Sequence, residues 1–227
     1  MEKITLSILL TFFVLGFSYA QDWADLKRFQ KENTKLSIPK SGEHRIVFMG
    51  NSITEGWLNI RPEFFAGKPY VNRGISGQTT PQMLLRFRQD VINLNPSAVV
   101  ILAGINDIAG NTGPSTIEMI ADNIFSMAEL AKSNNIKVMF CSVLPALDFP
   151  WRQGLAPAQK VIKLNELLKS YANEHEIVYI DYFTAMANDS NGLKEELGSD
   201  GVHPNAAGYL IMEPILENAL SKVLPNK

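Results

Sequence analysis

The sequence predicts an α/β fold, a three-layer α/β/α sandwich around a parallel sheet of about five strands. Short apolar runs, each bounded by turn residues, alternate with longer segments of helical spacing. An unbroken apolar run is typical of a strand that is buried on both faces, as strands of parallel sheets are. Parallel neighbours need a crossover connection, so this alternation favours β-α-β units whose helices cover both faces of one sheet.

The predicted strands and helices follow one another along the chain. Four apolar runs predict buried strands, at residues 44–49, 99–103, 136–143 and 177–180. A shorter run at 69–72 fits an additional strand. Helical spacing of apolar residues predicts five helices, at residues 53–65, 81–94, 115–133, 158–173 and 206–223. Ligands of such sheets bind beyond the carboxyl ends of the strands, so the residues that follow each apolar run are the ones to search for chemistry.

The N-terminus has the features of a secretory signal. A mostly apolar run at residues 4–17 follows Lys3, and small residues stand at Ser18 and Ala20. The run is shorter than the roughly 20 apolar residues of a membrane helix; an uncleaved anchor is the alternative. We predict a signal peptide at 1–20, a lead-in segment at 21–40 and a single domain at 41–227. These features predict an exported protein, periplasmic or extracellular if it is bacterial, without stable membrane insertion after cleavage of the signal peptide.

Charge and cysteine content exclude several classes of partner. The chain has 21 basic and 23 acidic residues without a run of like charge, which predicts no binding of nucleic acid. Cys141 is the single cysteine and there are three histidines, so neither a disulfide nor a zinc cluster is expected. We predict no metal and no cofactor.

The first candidate motif is Gly50–Thr54, which follows the first predicted strand. It puts Ser52 at a turn into a helix, near the positive helix end that can stabilise an oxyanion. Gly56 is followed by Trp57 rather than by the Lys-Ser/Thr of a phosphate-binding loop, and the chain has no Gly-x-Ser-x-Gly elbow. Taken alone, Ser52 would be a helix N-cap more often than a nucleophile.

Two further motifs contain groups that can donate hydrogen bonds to a ligand. Gly77 lies in the loop at residues 72–80, where the absence of a Cβ lets a backbone N–H approach closely. Asn106 follows the strand at 99–103 and can aim its side-chain amide into a pocket. Their simpler interpretations are an isolated turn and an Asx turn.

The last motif is Asp200-Gly201-Val202-His203, with the acid three residues before the imidazole. An aspartate that accepts a hydrogen bond from Nδ1–H fixes the tautomer whose Nε2 can take a proton from a serine. The alternative is a surface turn before the last helix.

These four blocks, in this order, resemble the motifs of the SGNH hydrolases, also called GDSL-type esterases or lipases. The resemblance runs from about Arg45 to the C-terminus, and it implies a flavodoxin-like sheet and hydrolysis of acyl esters without a metal or an organic cofactor. It also implies the role of each site residue. Ser52 would be the nucleophile, His203 the base that later acts as acid, and Asp200 the acid that orients this base. The oxyanion hole would consist of the backbone N–H groups of Ser52 and Gly77 and the side-chain amide of Asn106.

The sequence departs from the family pattern in these blocks. Asn51 stands where the family name has Asp, Ile53 where it has Leu, and Gln78 where an Asp is frequent. None of these changes removes a proposed catalytic atom. We expect Asn51 and Asp107 to support the site or to contact the substrate, with an Asx cap as the alternative for Asp107.

The predicted function is that of a secreted serine esterase that acts on short acyl esters, most simply acetyl esters of a carbohydrate. Trp151 and Trp57 can stack on sugar faces, with packing in a loop or the core as the alternative. The partner is therefore a small-molecule or glycan ester, and the sequence leaves the oligomeric state open. The competing interpretations are a lysophospholipase or another lipid or thioester acylhydrolase, and a glycan-binding module with an inactive site.

Overall fold

The computed structural model describes residues 22–224, and these contain the predicted parallel sheet. Its five strands are β1 (Ile46–Gly50), β2 (Tyr70–Gly74), β3 (Ala98–Leu102), β4 (Lys137–Cys141) and β5 (Val178–Ile180). All neighbours are parallel, in the order β2-β1-β3-β4-β5. The chain runs outward from β1 to β2 and then returns past β1 to β3, which creates a switch point where a crevice opens beyond the strand ends.

The helices lie between and after the strands. They are α1 (Gln30–Lys35), α2 (Ser52–Ile60), α3 (Pro62–Phe65), α4 (Thr80–Asp90), α5 (Ile105–Ile108), α6 (Ile117–Ser133), α7 (Ala158–Glu174), α8 (Tyr182–Met186) and α9 (Ala206–Val223). Of the helices within residues 22–224, none has the length and apolar character needed to cross a membrane. The predicted signal peptide at 1–20 lies outside the described residues, and the proposed boundaries at 20 and 40 stay predictions.

The prediction of one helix at 53–65 is wrong, because the chain forms α2 and α3 there. Arg61 separates the two helices, with φ −129° and ψ 58°. Pro62 disfavours the helical conformation for the residue before it, and it has no N–H to continue the hydrogen bonding of α2. The second helix therefore begins at the proline itself, a favoured first position.

The helices form one layer on each face of the sheet. On one face α4, α6 and α7 pack side by side, and on the other face α2 lies with α8 and α9. The side chains of Trp57 and Tyr209 join α2 to α9, with stacked rings 5.5 Å apart and a hydrogen bond of 2.7 Å from the Tyr209 hydroxyl to the Ile53 carbonyl. This contact holds the start of α2 beside α9, the helix that follows the Asp200–His203 motif.

The segment before the sheet packs against α4 instead of extending away from the domain. Three glutamine side chains donate hydrogen bonds of 2.5–2.7 Å to its backbone carbonyls, namely Gln78 to Ala24, Gln82 to Trp23 and Gln89 to Leu26. Asn33 adds a contact to β2, because its side-chain oxygen accepts from the guanidinium of Arg73. The lead-in segment is therefore attached to the loop that carries Gly77.

Candidate active site

Ser52 is the first residue of α2 and lies directly beyond the carboxyl end of β1. The residue before it, Asn51, is the N-cap, and its side-chain oxygen accepts a hydrogen bond of 3.0 Å from the N–H of Ile53. The alternative that Ser52 itself is the N-cap is therefore wrong. Because Asn51 fills that role, the Ser52 hydroxyl is available for another partner.

That partner is His203, which lies 151 residues further along the chain. Ser52 Oγ is 2.9 Å from His203 Nε2, and His203 Nδ1 is 2.7 Å from Asp200 Oδ2. The other carboxylate oxygen, Asp200 Oδ1, accepts from the backbone N–H groups of Val202 and His203 at 3.0 and 2.8 Å. The predicted trio thus forms one continuous hydrogen-bonded series, in which the turn at 200–203 holds its own aspartate.

The electrostatics of this turn favour an ionised aspartate. Partial burial alone would raise the pKa of Asp200, but the hydrogen bonds from the His203 backbone and imidazole and from the Val202 N–H outweigh it and hold the pKa below its usual value. A carboxylate has no hydrogen to give, so the hydrogen between the two side chains belongs to Nδ1. Nε2 of the neutral ring then presents its lone pair to Ser52.

The predicted oxyanion donors surround the same cleft, which has a volume of about 370 Å³ and is lined by Ser52, Ser76, Gly77, Asn106, Asn111, Trp151 and His203. Gly77 has φ +77°, and its N–H has no acceptor among residues 22–224. Asn106 Nδ2 donates one hydrogen to the Gln78 carbonyl at 3.0 Å, which leaves the second hydrogen free. Ser52, Gly77 and Asn106 therefore meet, although they come from three different strand ends.

The comparison with protein families accounts for this arrangement. Residues 48–211 match the GDSL-like Lipase/Acylhydrolase family, a segment that includes every residue of the hydrogen-bonded series and of the cleft. The chain belongs to this family. The predicted family and its hydrolase activity are confirmed, and so is the predicted α/β sandwich.

Solved structures and one curated relative agree with the family. The crystal structure of a GDSL-like lipase from Bacteroides thetaiotaomicron is 49% identical and has a TM-score of 0.87, covering 88% of this chain and 99% of that one. A protein from Bacteroides fragilis is 47% identical with a TM-score of 0.89, covering 91% and 100%. An acetylxylan esterase from Xylanibacter ruminicola is 25% identical over 82% of this chain and 45% of its own length. The chain spans about half the length of two of the curated relatives it matches.

In this GDSL-like hydrolase, Glu55 holds the Gly77 loop in place, a role for which no sequence motif provides a signal. Its carboxylate accepts from both the N–H and the hydroxyl of Ser76, the neighbour of Gly77. Arg28 of the lead-in segment pairs with the same carboxylate at 3.1 Å. One residue of α2 thus ties the loop to the helix that begins at Ser52.

Arg86 of α4 is a second organising residue that sequence reasoning missed. Its guanidinium is fully buried and donates to the side chain of Gln78 at 2.5 Å and to the backbone carbonyls of Gly50 and Arg73 at 3.1 and 2.9 Å, with Asp90 as its counter-ion at 3.2 Å. Burial lowers the pKa of Arg86 to about 10, which leaves it charged at neutral pH. The backbone carbonyls at the ends of β1 and β2 are therefore bonded to the same buried guanidinium.

Asp107 supports the site from behind the cleft and does not line it. Its carboxylate accepts from the Thr80 N–H at 2.9 Å and from the Thr80 hydroxyl at 2.6 Å, which fixes the start of α4 beside Asn106. Only 3% of Asp107 is exposed. Burial raises its pKa to about 6, although the bonds from Thr80 act in the opposite direction.

This raised pKa predicts a pH-dependent stability. The folded protein binds the Asp107 proton more tightly than the unfolded chain does, so its stabilising contribution is complete below about pH 4 and is lost as the pH rises through about 6. Because the pKa lies at about 6 instead of 3.8, the free energy of unfolding should fall by about 2 kcal/mol relative to Asp107→Asn between pH 4 and 7. Urea unfolding at both pH values checks this, with the exposed Asp122→Asn as control. Parallel pH curves for the wild type and Asp107→Asn would contradict it.

Trp151 lies beside the imidazole and is open to solvent. Its ring centre is 5.8 Å from that of His203, and 45% of the residue is exposed. Trp57 differs, because only 2% of it is exposed and it packs among aromatic rings of the core. Of the two tryptophans, Trp151 is the one in a position to meet a ligand.

The loop that carries Trp151 is held by its own polar side chains. Asp148 accepts from the N–H groups of Phe149 and Gly154 at 2.9 and 2.8 Å, which closes the loop on itself. Arg152 donates to the carbonyls of Ala109 and Gly110 at 2.6 and 3.0 Å, in the loop that follows Asn106. The position of Trp151 beside His203 is therefore built into the fold.

Proposed function

We propose that this hydrolase is a serine esterase in which Ser52 is the nucleophile, His203 the general base and then the general acid, and Asp200 the residue that orients His203. The observation that supports it best is the hydrogen-bonded series from Ser52 Oγ to His203 Nε2 at 2.9 Å and from Nδ1 to Asp200 at 2.7 Å. A serine as weakly acidic as a free alcohol becomes a nucleophile when a positioned base removes its proton.

The reaction proceeds by two acyl transfers. As Ser52 Oγ bonds to the ester carbonyl carbon, its proton moves to His203 Nε2; the tetrahedral intermediate then expels the alcohol, whose oxygen takes that proton. A water molecule repeats the sequence on the acyl-enzyme, giving its proton to Nε2 and releasing the acid and Ser52. Asp200 stays ionised throughout and stabilises the imidazolium.

The developing oxyanion accepts hydrogen bonds from the N–H groups of Ser52 and Gly77 and from the Asn106 amide. The first is at the positive end of α2, which favours negative charge. The bond from Asn106 to the Gln78 carbonyl fixes the orientation of the amide before substrate arrives. Donors that are already oriented need no reorganisation during the reaction, which is the source of their effect on the rate.

The substrate we propose is a short acyl ester, most simply an acetyl ester, of a carbohydrate outside the cytoplasm. The cleft beside Ser52 is small, at about 370 Å³, and Trp151 offers an exposed aromatic face next to His203. The similarity to an acetylxylan esterase agrees with this substrate class. The proposal of export depends on the apolar run and small residues within 1–20.

A series of 4-nitrophenyl esters of increasing acyl length tests this function. With residues 21–227 purified, kcat/KM is expected to be highest for acetate and to fall from butyrate to octanoate and palmitate, because the small cleft has little room for a long acyl chain. A rise with chain length would replace the proposal by a lipid acylhydrolase. The absence of turnover on every ester, together with glycan binding, would leave only the binding-module interpretation.

A further inference from the structure

A second cleft lies beside Asp200, and we infer that it binds the alcohol portion of the substrate, as a subsite for a neutral sugar ring next to the acylated one. This inference rests on the proposed esterase function. The cleft has a volume of about 290 Å³, and its lining includes Leu147, Pro150, Gln153, Leu193, Asp200 and Gly201.

The chemistry of the reaction decides on which side of Ser52 the alcohol must lie. The leaving oxygen receives its proton from His203 Nε2, so it has to be within hydrogen-bond distance of the imidazole when the bond to carbon breaks. The carbonyl oxygen is held by the donors from Ser52, Gly77 and Asn106. The alcohol portion therefore leaves toward His203 and continues beyond it.

The surface beyond His203 leads to the second cleft. The two clefts are lined by the same two segments. The turn at 200–203 contributes His203 to the cleft at Ser52 and Asp200 to the second cleft, and the loop at 149–153 contributes Trp151 to the first and Gln153 to the second. The Trp151 ring stands between them, 5.8 Å from His203 and 5.2 Å from Phe149. A chain of sugar rings that passes over Trp151 would reach this second cleft.

The lining of the cleft fits a neutral, partly apolar ring. Leu147 is 48% exposed, and with Pro150 and Leu193 it forms an apolar wall of the kind that packs against the C–H face of a pyranose. Gln153 is an exposed residue of this lining and its amide makes no hydrogen bond among residues 22–224, so it is free to bind hydroxyl groups.

The charges at the cleft exclude an anionic ligand. The lining has two carboxylates, and their hydrogen bonds keep them ionised: Asp148 accepts from the N–H of Gly154, and Asp200 from His203. No lining residue is cationic, so nothing there offsets this negative charge. A volume of about 290 Å³ is at the lower end for small-molecule sites, which suits one ring. The bonds made by Asp148 and Arg152 hold the loop in place before binding, so the subsite is preformed.

The test compares esters that share the acetyl group and differ in the alcohol: 4-nitrophenyl acetate, mono-O-acetylxylose and O-acetylated xylotriose. We expect kcat/KM of the wild type to be at least tenfold higher for the xylotriose ester than for the xylose ester, mainly through a lower KM. Gln153→Trp, which fills the cleft, should remove most of this advantage, and Gln153→Ala should reduce it. The matched control is Gln159→Trp at an exposed position of α7, outside both clefts, and it should keep the wild-type ratio.

Three results would overturn the inference. The first is an equal kcat/KM for the xylose and xylotriose esters, and the second is a xylotriose advantage that survives Gln153→Trp. The third is an advantage for dodecyl acetate that Gln153→Trp removes, because the cleft would then take an alkyl chain. Failure of the proposed function itself is distinct, since the wild type would then hydrolyse none of the acetyl esters, 4-nitrophenyl acetate included.

Discussion

Replacing Ser52 by alanine is expected to lower kcat for 4-nitrophenyl acetate by about a millionfold, as for other serines of such trios. The change removes the oxygen that bonds to the acyl group and leaves His203 without its partner at 2.9 Å. The covalent route is lost, and what remains is hydrolysis by water aided by the oxyanion donors. Steady-state kinetics of the purified variant, with circular dichroism to verify folding, provide the measurement.

Ser76→Ala is the matched control for this change. Ser76 lines the same cleft, but its hydroxyl is bonded to Glu55 and not to His203. Its removal should cost orders of magnitude less activity than the loss of Ser52. If Ser52→Ala remained nearly as active as the wild type, the nucleophile would have to be a different group.

Asp200→Asn is expected to have the second largest effect, on the order of 10⁴ in kcat. The 2.7 Å contact to Nδ1 requires an acceptor at Oδ2, and an amide that keeps its oxygen on the Val202 and His203 N–H groups presents an NH₂ there instead. The imidazole would then carry its hydrogen on Nε2 and could not accept the proton of Ser52.

The value of kcat for Asp200→Asn is measured on the same ester, beside that of a control variant in which a different aspartate is replaced and the turn at 200–203 is unchanged. Asp189→Asn, at an exposed turn, is the control and should retain wild-type kinetics. The orienting role would be wrong if Asp200→Asn were folded and fully active. A rise in KM with an unchanged kcat would instead assign Asp200 to substrate binding.

The elements that could be predicted from sequence are those with local signals. An unbroken apolar run between turn residues predicted β3, because a strand buried on both faces requires one. Pro62 is also a local signal, because a proline interrupts helical hydrogen bonding and so marks the break between α2 and α3. The motifs with Ser52 and His203 were recognisable because glycine and turn residues accompany them at short range.

The supporting residues had no such signal. Glu55 reads as an exposed helix residue and Arg86 as an ordinary charge in a polar helix, yet one holds the Gly77 loop and the other lies fully buried behind it. The lead-in segment is likewise predicted to lie outside the domain at 41–227, while Gln78 ties it to the loop beside the cleft. A residue's burial depends on which distant segments cover it, and sequence spacing does not contain that information.

Apolar periodicity and short motifs are properties of neighbouring residues, so they were sufficient to predict the fold class, the family and the candidate site residues. The role of Asn51 as helix cap, the place of Asp107 behind the cleft, and the 2.9 Å distance from Ser52 Oγ to His203 Nε2 became visible only in the folded chain. They depend on the parallel order β2-β1-β3-β4-β5, which brings strand ends from remote parts of the chain to one edge, where packing of the helices on both faces sets their distances.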